Sequence, residues 1–294
     1  MRLLVTGATG FTGSYAIPEL LAAGHKVTCY VRPTSDRSRI SASSVDYIEG
    51  TLEDQQSLTA ALQGMDALVN IASLGFGHAP NIVGAALAAG VTRALFISTT
   101  AIFTSLNAPS KVVRLAAEKL IAESGLRYTI LRPTMIYGSS KDRNMCRLIK
   151  YLKRFPLIPM LGSGEYLQQP VYVGDLAKAI TLAIGTEKTA NKAYNISGAA
   201  PISYNQVIKT VCTGLQRKIW QLHVPAKLVV DILGTTERLK IRLPIKSEQV
   251  QRLNEDKAFD YTDAHQDFQY APLTLEEGIR LELGEMNLLP NNKL

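Results

Sequence analysis

The chain is short of cysteine and has no long apolar run. Its 294 residues include three cysteines, Cys29, Cys146 and Cys212, odd in number and far apart. That pattern argues against a disulfide framework and offers no cysteine spacing for a metal, so a reducing compartment fits. No stretch of 18 or more consecutive apolar residues occurs, and no membrane-spanning helix is expected. No cleavable leader is expected either, because residues 2–6 already read as a core strand, and the cytoplasm is the default location. The chain shows no zinc spacing and no aromatic–basic repeat, which leaves nucleic-acid binding without a motif. Internal repeats, low-complexity tracts and a linker able to separate domains are all missing.

What is present is globular. Apolar residues make up 46% and charged residues 19%, ordinary values for a folded domain. Lys and Arg number 32 against 25 acidic residues, a net +7. The excess suits a solvated basic surface first, and anionic partners second.

Periodicity gives the architecture. Residues 2–6, 26–31, 45–48, 67–71, 94–98 and 128–131 read as strands. Helical spacing fills residues 14–23, 54–62, 82–89 and 116–124 between them. Strand and helix alternate about every 30 residues, the pattern of right-handed βαβ crossovers. After Gly138 the pattern loosens. The expected fold is α/β, a Rossmann-type doubly wound parallel sheet with a small C-terminal annex on the substrate side. One compact unit is expected over residues 1–294. Its dinucleotide-binding core would span about 1–140 plus parts of 169–198, and its annex mostly 141–168 and 199–285.

The first chemistry is Thr6-Gly7-Ala8-Thr9-Gly10-Phe11-Thr12-Gly13, set between the first strand and the first helix. Gly7 suits the tight turn, Gly10 lets the backbone approach a pyrophosphate, and Gly13 lets the helix pack closely on the strand. The helix N-terminus would offer unpaired N–H groups to the anion. On this reading Gly7, Thr9, Gly10, Phe11, Thr12 and Gly13 hold a dinucleotide; the plain alternative is a bare turn. The end of the second strand selects the cofactor. An NAD site usually places an acid there for the ribose hydroxyls, but this chain has Tyr30-Val31-Arg32-Pro33, with Arg37 and Arg39 close behind. The Arg32 fork could pair with a 2′-phosphate. NADP(H) is therefore favoured, with NAD(H) left open. No metal is expected.

With those residues in view, the sequence resembles the extended and atypical short-chain dehydrogenase/reductases, the NAD(P)-dependent epimerase/dehydratase-like group. TGATGFTG at 6–13, ALVNIAS at 67–73, LFISTTAIF at 95–103 and AAEKLIAESGLRYTILRPTMIYG at 116–138 carry the likeness. QPVYVGDLAKAI at 169–180, AYNISG at 193–198 and LTLEEGI at 273–279 extend it. The resemblance implies further cofactor contacts at Leu52, Ala72, Arg114 and Pro133. It also implies a Tyr-x-x-x-Lys pair, but counting back from Ala117-Glu118 puts Ser110 and Arg114 at those positions, and residues 105–118 hold no tyrosine. Lys111 has Asn107 four residues before it. A serine hydroxyl is a far weaker acid than a phenol, and Arg114 stays charged, suiting a ribose or phosphate contact. Thr99, with Thr100 beside it, falls at the family's Ser/Thr position. The candidate catalytic residues are thus Thr99, Ser110 and Arg114, each with a structural alternative. Tyr137 has a packing role in relatives. Gln168 stands where sugar-nucleotide relatives carry the arginine that grips a diphosphate. The Gln169-Pro170-Val-Tyr-Val form is similar to the branch containing the NAD(P)-binding accessory subunit of NADH dehydrogenase. Asp175 reads as the N-cap of the helix that follows.

Residues 141–154 hold six basic residues and one acidic residue, with Met145, Leu148, Ile149 and Leu152 at helical spacing. This amphipathic stretch suits a helix over the substrate cleft, or a contact with an anionic substrate, a membrane surface or a partner subunit. Residues 226–233 and 238–242 form a second basic, apolar segment. Three functions stay open: an NADP(H)-dependent oxidoreductase acting on a small molecule; a non-catalytic NAD(P)-binding structural or redox-sensing subunit of a larger complex; and a nucleotide-sugar epimerase or dehydratase.

Overall fold

The computed structural model describes residues 1–40, 45–106, 109–225 and 255–289. Six strands open the chain: β1 (Arg2–Thr6), β2 (Lys26–Val31), β3 (Asp46–Glu49), β4 (Ala67–Asn70), β5 (Arg93–Ile97) and β6 (Arg127–Pro133). Helices α1 (Phe11–Ala22), α2 (Gln55–Leu62), α3 (Ala79–Ala88) and α4 (Pro109–Glu123) connect them. Later in the chain α6 (Val173–Gly185) leads into β11 (Lys192–Ile196), which joins the same sheet. The order is β11-β6-β5-β4-β1-β2-β3, and every neighbouring pair is parallel. This is the doubly wound parallel sheet expected from the alternation of strand and helix.

Both faces of the sheet are buried, so its strands are apolar throughout rather than alternating. Leu3, Val5, Val69 and Leu95 point to one face, where they pack on α1 and α6. Leu4, Leu68, Phe96 and Ile130 point to the other, against α2, α3 and α4. Helix α4 begins at Pro109, well before the expected residue 116. Only its later turns bury apolar side chains, at Ala117 and Ile121, whereas Val112 and Leu115 lie exposed. The apolar stripe that signals a helix therefore starts late, while Pro109 is tolerated at the first helical position.

After β6 the chain builds a smaller layer from β7 (Ile136–Tyr137), α5 (Met145–Arg154), β8 (Leu157–Leu161), β9 (Leu167–Gln168) and β10 (Val171–Tyr172). It continues through β12 (Ile202–Ser203), α7 (Tyr204–Gly214), β13 (Trp220–Val224), α8 (Thr262–Phe268) and α9 (Leu275–Glu285). Three two-stranded sheets, β7–β10, β9–β12 and β8–β13, tie it together. Its own apolar cluster joins Met145, Ile149 and Leu152 of α5 to Val207, Ile208 and Val211 of α7 and to Ile279 and Leu283 of α9.

Asp175 does not cap a helix. Helix α6 starts at Val173, with Tyr172 in the cap position and no side-chain capping bond. Asp175 sits in the first turn, buried, and accepts the N–H of Leu273 at 2.9 Å. It anchors a segment 98 residues away. The second basic segment, residues 226–233 and 238–242, lies outside the described residues.

Candidate functional site

In an open α/β sheet, ligands bind beyond the carboxyl ends of the strands, where the strand order reverses. Here that point lies between β1 and β4, which are neighbours in the sheet although β2 and β3 intervene in sequence. The glycine turn leaves β1 there. Gly7 has φ +72°, and a Cβ on it would stand 2.6 Å from the backbone nitrogen of Ala72 in the loop after β4. Only glycine meets both the left-handed conformation and that approach. The Gly10 N–H closes the turn on the Gly7 carbonyl at 3.0 Å. A Cβ on Gly13 would overlap the carbonyl oxygens of Gly7 and Ala8. Helix α1 starts directly after Gly10, which supplies no side-chain cap, and its first turn holds no acid. Thr9, Phe11 and Thr12 are part-exposed around this opening. A cradle that any side chain would fill, facing an uncapped helix start without negative charge, fits a pyrophosphate.

Asn70, buried at the end of β4, braces the two loops. Its Oδ1 accepts the Thr6 hydroxyl at 2.7 Å, and its amide donates to the Ala72 carbonyl at 2.9 Å. Leu52, part-buried in the loop after β3, gives its carbonyl to the Asn81 amide at 3.0 Å. Arg32 is exposed just past β2. Nearby, the Glu53 carboxyl is held below its ordinary value, first by its own backbone N–H, then by the Thr51 hydroxyl, with smaller contributions from His78 and Arg32. Arg37 is engaged elsewhere, with Glu49 and over the Tyr47 ring.

The three catalytic candidates are not brought together. Thr99 lies two residues past β5 and caps a short 3-10 helix at Thr100–Phe103, its Oγ1 accepting the Ala101 N–H at 3.2 Å. Ser110 and Arg114 lie in the first turns of α4. The Arg114 Nη1 donates to the Ser110 carbonyl at 3.3 Å, and a Cβ on Gly75 would come within 2.9 Å of its Nη2. Arg114 thus lies against the 3-10 helix that follows β4, on the same side of the sheet as Ala72. Lys111 donates to the Thr104 carbonyl. Pro133 ends β6 and is buried; its carbonyl accepts the Thr100 hydroxyl at 3.3 Å.

Sequence reasoning missed the group that fixes this corner. Glu118 is buried on α4 and receives the Ser98 hydroxyl from β5. It also takes both Nε, at 3.0 Å, and Nη2 of Arg132 from β6. Arg132 in turn lies over the Phe103 ring at 5.4 Å. The position of Glu118 inside an apolar helical stripe was the available signal.

Between this corner and the smaller layer lies a cavity of about 870 Å³. Thr99, Thr100 and Thr134 line its sheet side, and Arg143, Asn144, Met145, Arg147 and Gln168 its far side. Neither Ser110 nor Arg114 is among its lining residues. Residues 255–259 strap across it. Glu255 accepts the Thr104 hydroxyl at 2.6 Å and the Ser105 N–H at 2.9 Å, and the Phe103 and Phe259 rings stand 5.7 Å apart. No sequence signal marked this strap. Tyr137 faces away from the cavity, packed edge-on against Tyr172 and over Gly278. Burial raises its phenol well above the ordinary value, so it stays protonated, in keeping with a packing role.

The family model described as NAD(P)H-binding matches residues 7–153. The chain belongs to this NAD(P)H-binding family. A second model, the 3-beta hydroxysteroid dehydrogenase/isomerase family, matches residues 105–224. Quinone oxidoreductase 2 of Escherichia coli is 33% identical over 213 residues, covering 70% of this chain and 71% of that protein. A 2-alkyl-3-oxoalkanoate reductase of Shewanella oneidensis is 26% identical, covering 94% and 84%. The mitochondrial NADH dehydrogenase [ubiquinone] 1 alpha subcomplex subunit 9 of Arabidopsis thaliana is 23% identical, covering 86% and 68%. Among solved structures, UDP-glucuronic acid 4-epimerase from Bacillus cereus in complex with NAD shares the fold, with TM-score 0.77, 19% identity and 98% and 99% coverage. Family membership accounts for the cradle of Gly7, Gly10 and Gly13: the chain is an NAD(P)-binding protein of the oxidoreductase and epimerase-like group. Among the described residues no helix is long and apolar enough to cross a membrane.

Proposed function

We propose that the chain is an NADP(H)-dependent oxidoreductase of the atypical short-chain dehydrogenase/reductase type, acting on a carbonyl or enone of a small molecule. The observation that carries this reading is that the glycine cradle after β1 and a cavity of about 870 Å³ walled by Thr99, just past β5, both lie beyond the carboxyl ends of strands of one parallel sheet. That volume lies in the range of small-molecule sites. Gly7, Thr9, Gly10, Phe11, Thr12 and Gly13 hold the pyrophosphate, with Leu52, Ala72 and Pro133 along the rest of the dinucleotide. Arg32 supplies a two-toothed contact for a 2′-phosphate, and Arg114 a ribose or phosphate contact. A bound nicotinamide supplies or accepts the hydride. Thr99 orients the substrate oxygen by hydrogen bonding. Ser110 is too weak an acid to replace a phenol unaided, so the proton reaches the substrate oxygen from water that enters the half-open cavity.

A second reading is favoured by one observation, the occupation of the dyad positions by Ser110 and Arg114. It makes the chain a non-catalytic binder whose NADP(H) serves a partner complex. Calorimetric titration with NADPH, NADP⁺, NADH and NAD⁺, beside Arg32→Ala, tests both. The expected result is at least tenfold tighter binding of the phosphorylated forms, about 1.4 kcal/mol, a gap that Arg32→Ala erases. Equal or tighter binding of NAD(H) removes the NADP(H) assignment. Consumption of NADPH on addition of a 3-oxo acid or quinone series distinguishes enzyme from binder.

A further inference from the structure

The described arginines of this chain mostly find partners. Arg2 pairs with Asp66, Arg127 with Glu187 and Arg132 with Glu118. Arg93, buried, donates to the carbonyls of Arg127 and Ala183 and to the Thr129 and Thr189 hydroxyls. Arg143 and Arg147 differ. Both line the large cavity, four residues apart at the start of α5, and both are exposed. Neither guanidinium makes an ion pair or hydrogen bond among the described residues.

Two carboxylates, Glu255 and Asp256, line the same cavity. Those acids are turned to other donors. Glu255 takes the Thr104 and Ser105 groups, and Asp256 Oδ1 takes the Leu167 N–H at 2.8 Å. The start of α5 is itself already capped, since Asp142 Oδ1 accepts the N–H groups of Asn144 and Cys146. Attraction for an anion at this wall therefore comes from the two side chains and not from the helix terminus. Lys150, Lys153 and Arg154 of the same helix are exposed but absent from the lining. The apolar face of the stretch is spent inside, on α7 and α9. With Lys141, also exposed and absent from the lining, the basic stretch thus divides by residue into two cations in the cavity and four outside it.

Met135, Met145, Leu148, Val207 and Phe259 give the cavity an apolar wall beside its polar lining. A ligand complementary to it carries a hydrocarbon or aromatic body. Gln168, neutral and buried, lines the cavity as well. It supplies no cation, and Lys257, which also lines the cavity, is already engaged within the chain beside Glu255, so one anionic group matched by the two guanidinium forks is the better complement.

We infer that Arg143 and Arg147 form a head-group site for a substrate with a single anionic group, carboxylate or phosphate, on an apolar body. This rests on the oxidoreductase reading for its substrate language, with the reacting carbon at the Thr99 end of the cavity. The site itself is read from the cavity alone.

The test is calorimetry on the full chain with octanoate, octyl phosphate and 1-octanol at fixed ionic strength, beside the Arg143→Ala/Arg147→Ala double variant and the Arg143→Lys/Arg147→Lys variant. At least one anion is expected to bind tenfold or more tightly than octanol. The alanine variant should lose that advantage while keeping its octanol affinity, and the lysine variant should keep part of it. The stronger of the two anions identifies the head group. Equal binding of octanol and both anions, or undiminished anion binding by the alanine variant, overturns the assignment. NADPH titration of the same proteins separates the two readings. Unchanged NADPH affinity in the alanine variant supports a substrate site, whereas its loss would assign these arginines to the cofactor and overturn the inference. Failure of the parent to bind NADPH would sink the oxidoreductase reading and leave the anion result standing.

Discussion

The two sides of the cavity are held by opposite means. On the sheet side charge is matched with charge: Glu118 on α4 meets Arg132 on β6 and the Ser98 hydroxyl on β5. On the annex side two acids meet each other. Glu282 of α9 is fully buried, and among the described residues no other group donates a hydrogen bond to either of its oxygens or to Oδ2 of Asp142. Two carboxyls can share that space only if one carries a proton. Burial, then the contact with Asp142, pushes Glu282 up to about 10. The groups facing it are Asp142, Glu285, Tyr137, Tyr172 and Cys146, none of them a cation. One wall is therefore held by a matched ion pair, and the other depends on a single proton.

Four substitutions break or sharpen this contrast. Glu118→Ala strikes the matched side hardest. It strands the Arg132 guanidinium, and removing one partner of a buried pair costs about 3–5 kcal/mol. Urea unfolding should show the loss, and a change below 1 kcal/mol would mean the pair is idle. Gly13→Ala comes next. Its new Cβ meets the Gly7 and Ala8 carbonyls, so the turn must move, with a loss of NADPH affinity on the order of 100-fold, about 2.7 kcal/mol. Calorimetry within threefold of the parent would reject the cradle as a binding surface.

Glu282→Gln addresses the acid pair. The folded state holds a proton that the unfolded carboxyl releases above its ordinary value of 4.5. The associated stability is fully present below pH 4.5 and is lost as pH rises toward about 10. The loss can reach about 1.4 kcal/mol per pH unit. Glutamine cannot ionise, so the variant should match the parent near pH 5 and exceed it by about 2 kcal/mol by about pH 6.5. Parallel melting curves across that range would refute the buried proton. The smallest effect is that of Arg32→Ala, about 1.4 kcal/mol in NADPH binding with stability unchanged.

How much could be read from sequence follows the same divide. The glycine turn was legible because its geometry is local, closed within seven residues. The sheet was legible because apolar runs and helical stripes alternate along β1 to β6. The start of α4 was not, because Val112 and Leu115 spend their side chains on the surface and imitate no buried stripe. Asp175 resembled a cap since capping is the common use of an acid near a helix start, but its partner is 98 residues away. The strap over the cavity depends on Glu255 and Thr104, separated by 151 positions. No local pattern records such a pairing. Glu282 was readable in principle: it sits in the apolar stripe of Leu275, Ile279 and Leu283, where an acid is out of place.

The packing of Tyr137 over Gly278 sets an order of events for the growing chain. Strands β1 to β5 can pair as they emerge, each beside one already made, the preceding strand in every case but β4, which returns to β1. Tyr137 lies at the back of the cavity wall, and its resting place exists only when α9 arrives some 140 positions later. During synthesis at about 5–20 residues per second, the dinucleotide cradle is therefore complete several seconds before the cavity beside it. The turn that fits a pyrophosphate is thus made before the wall of the cavity is seated.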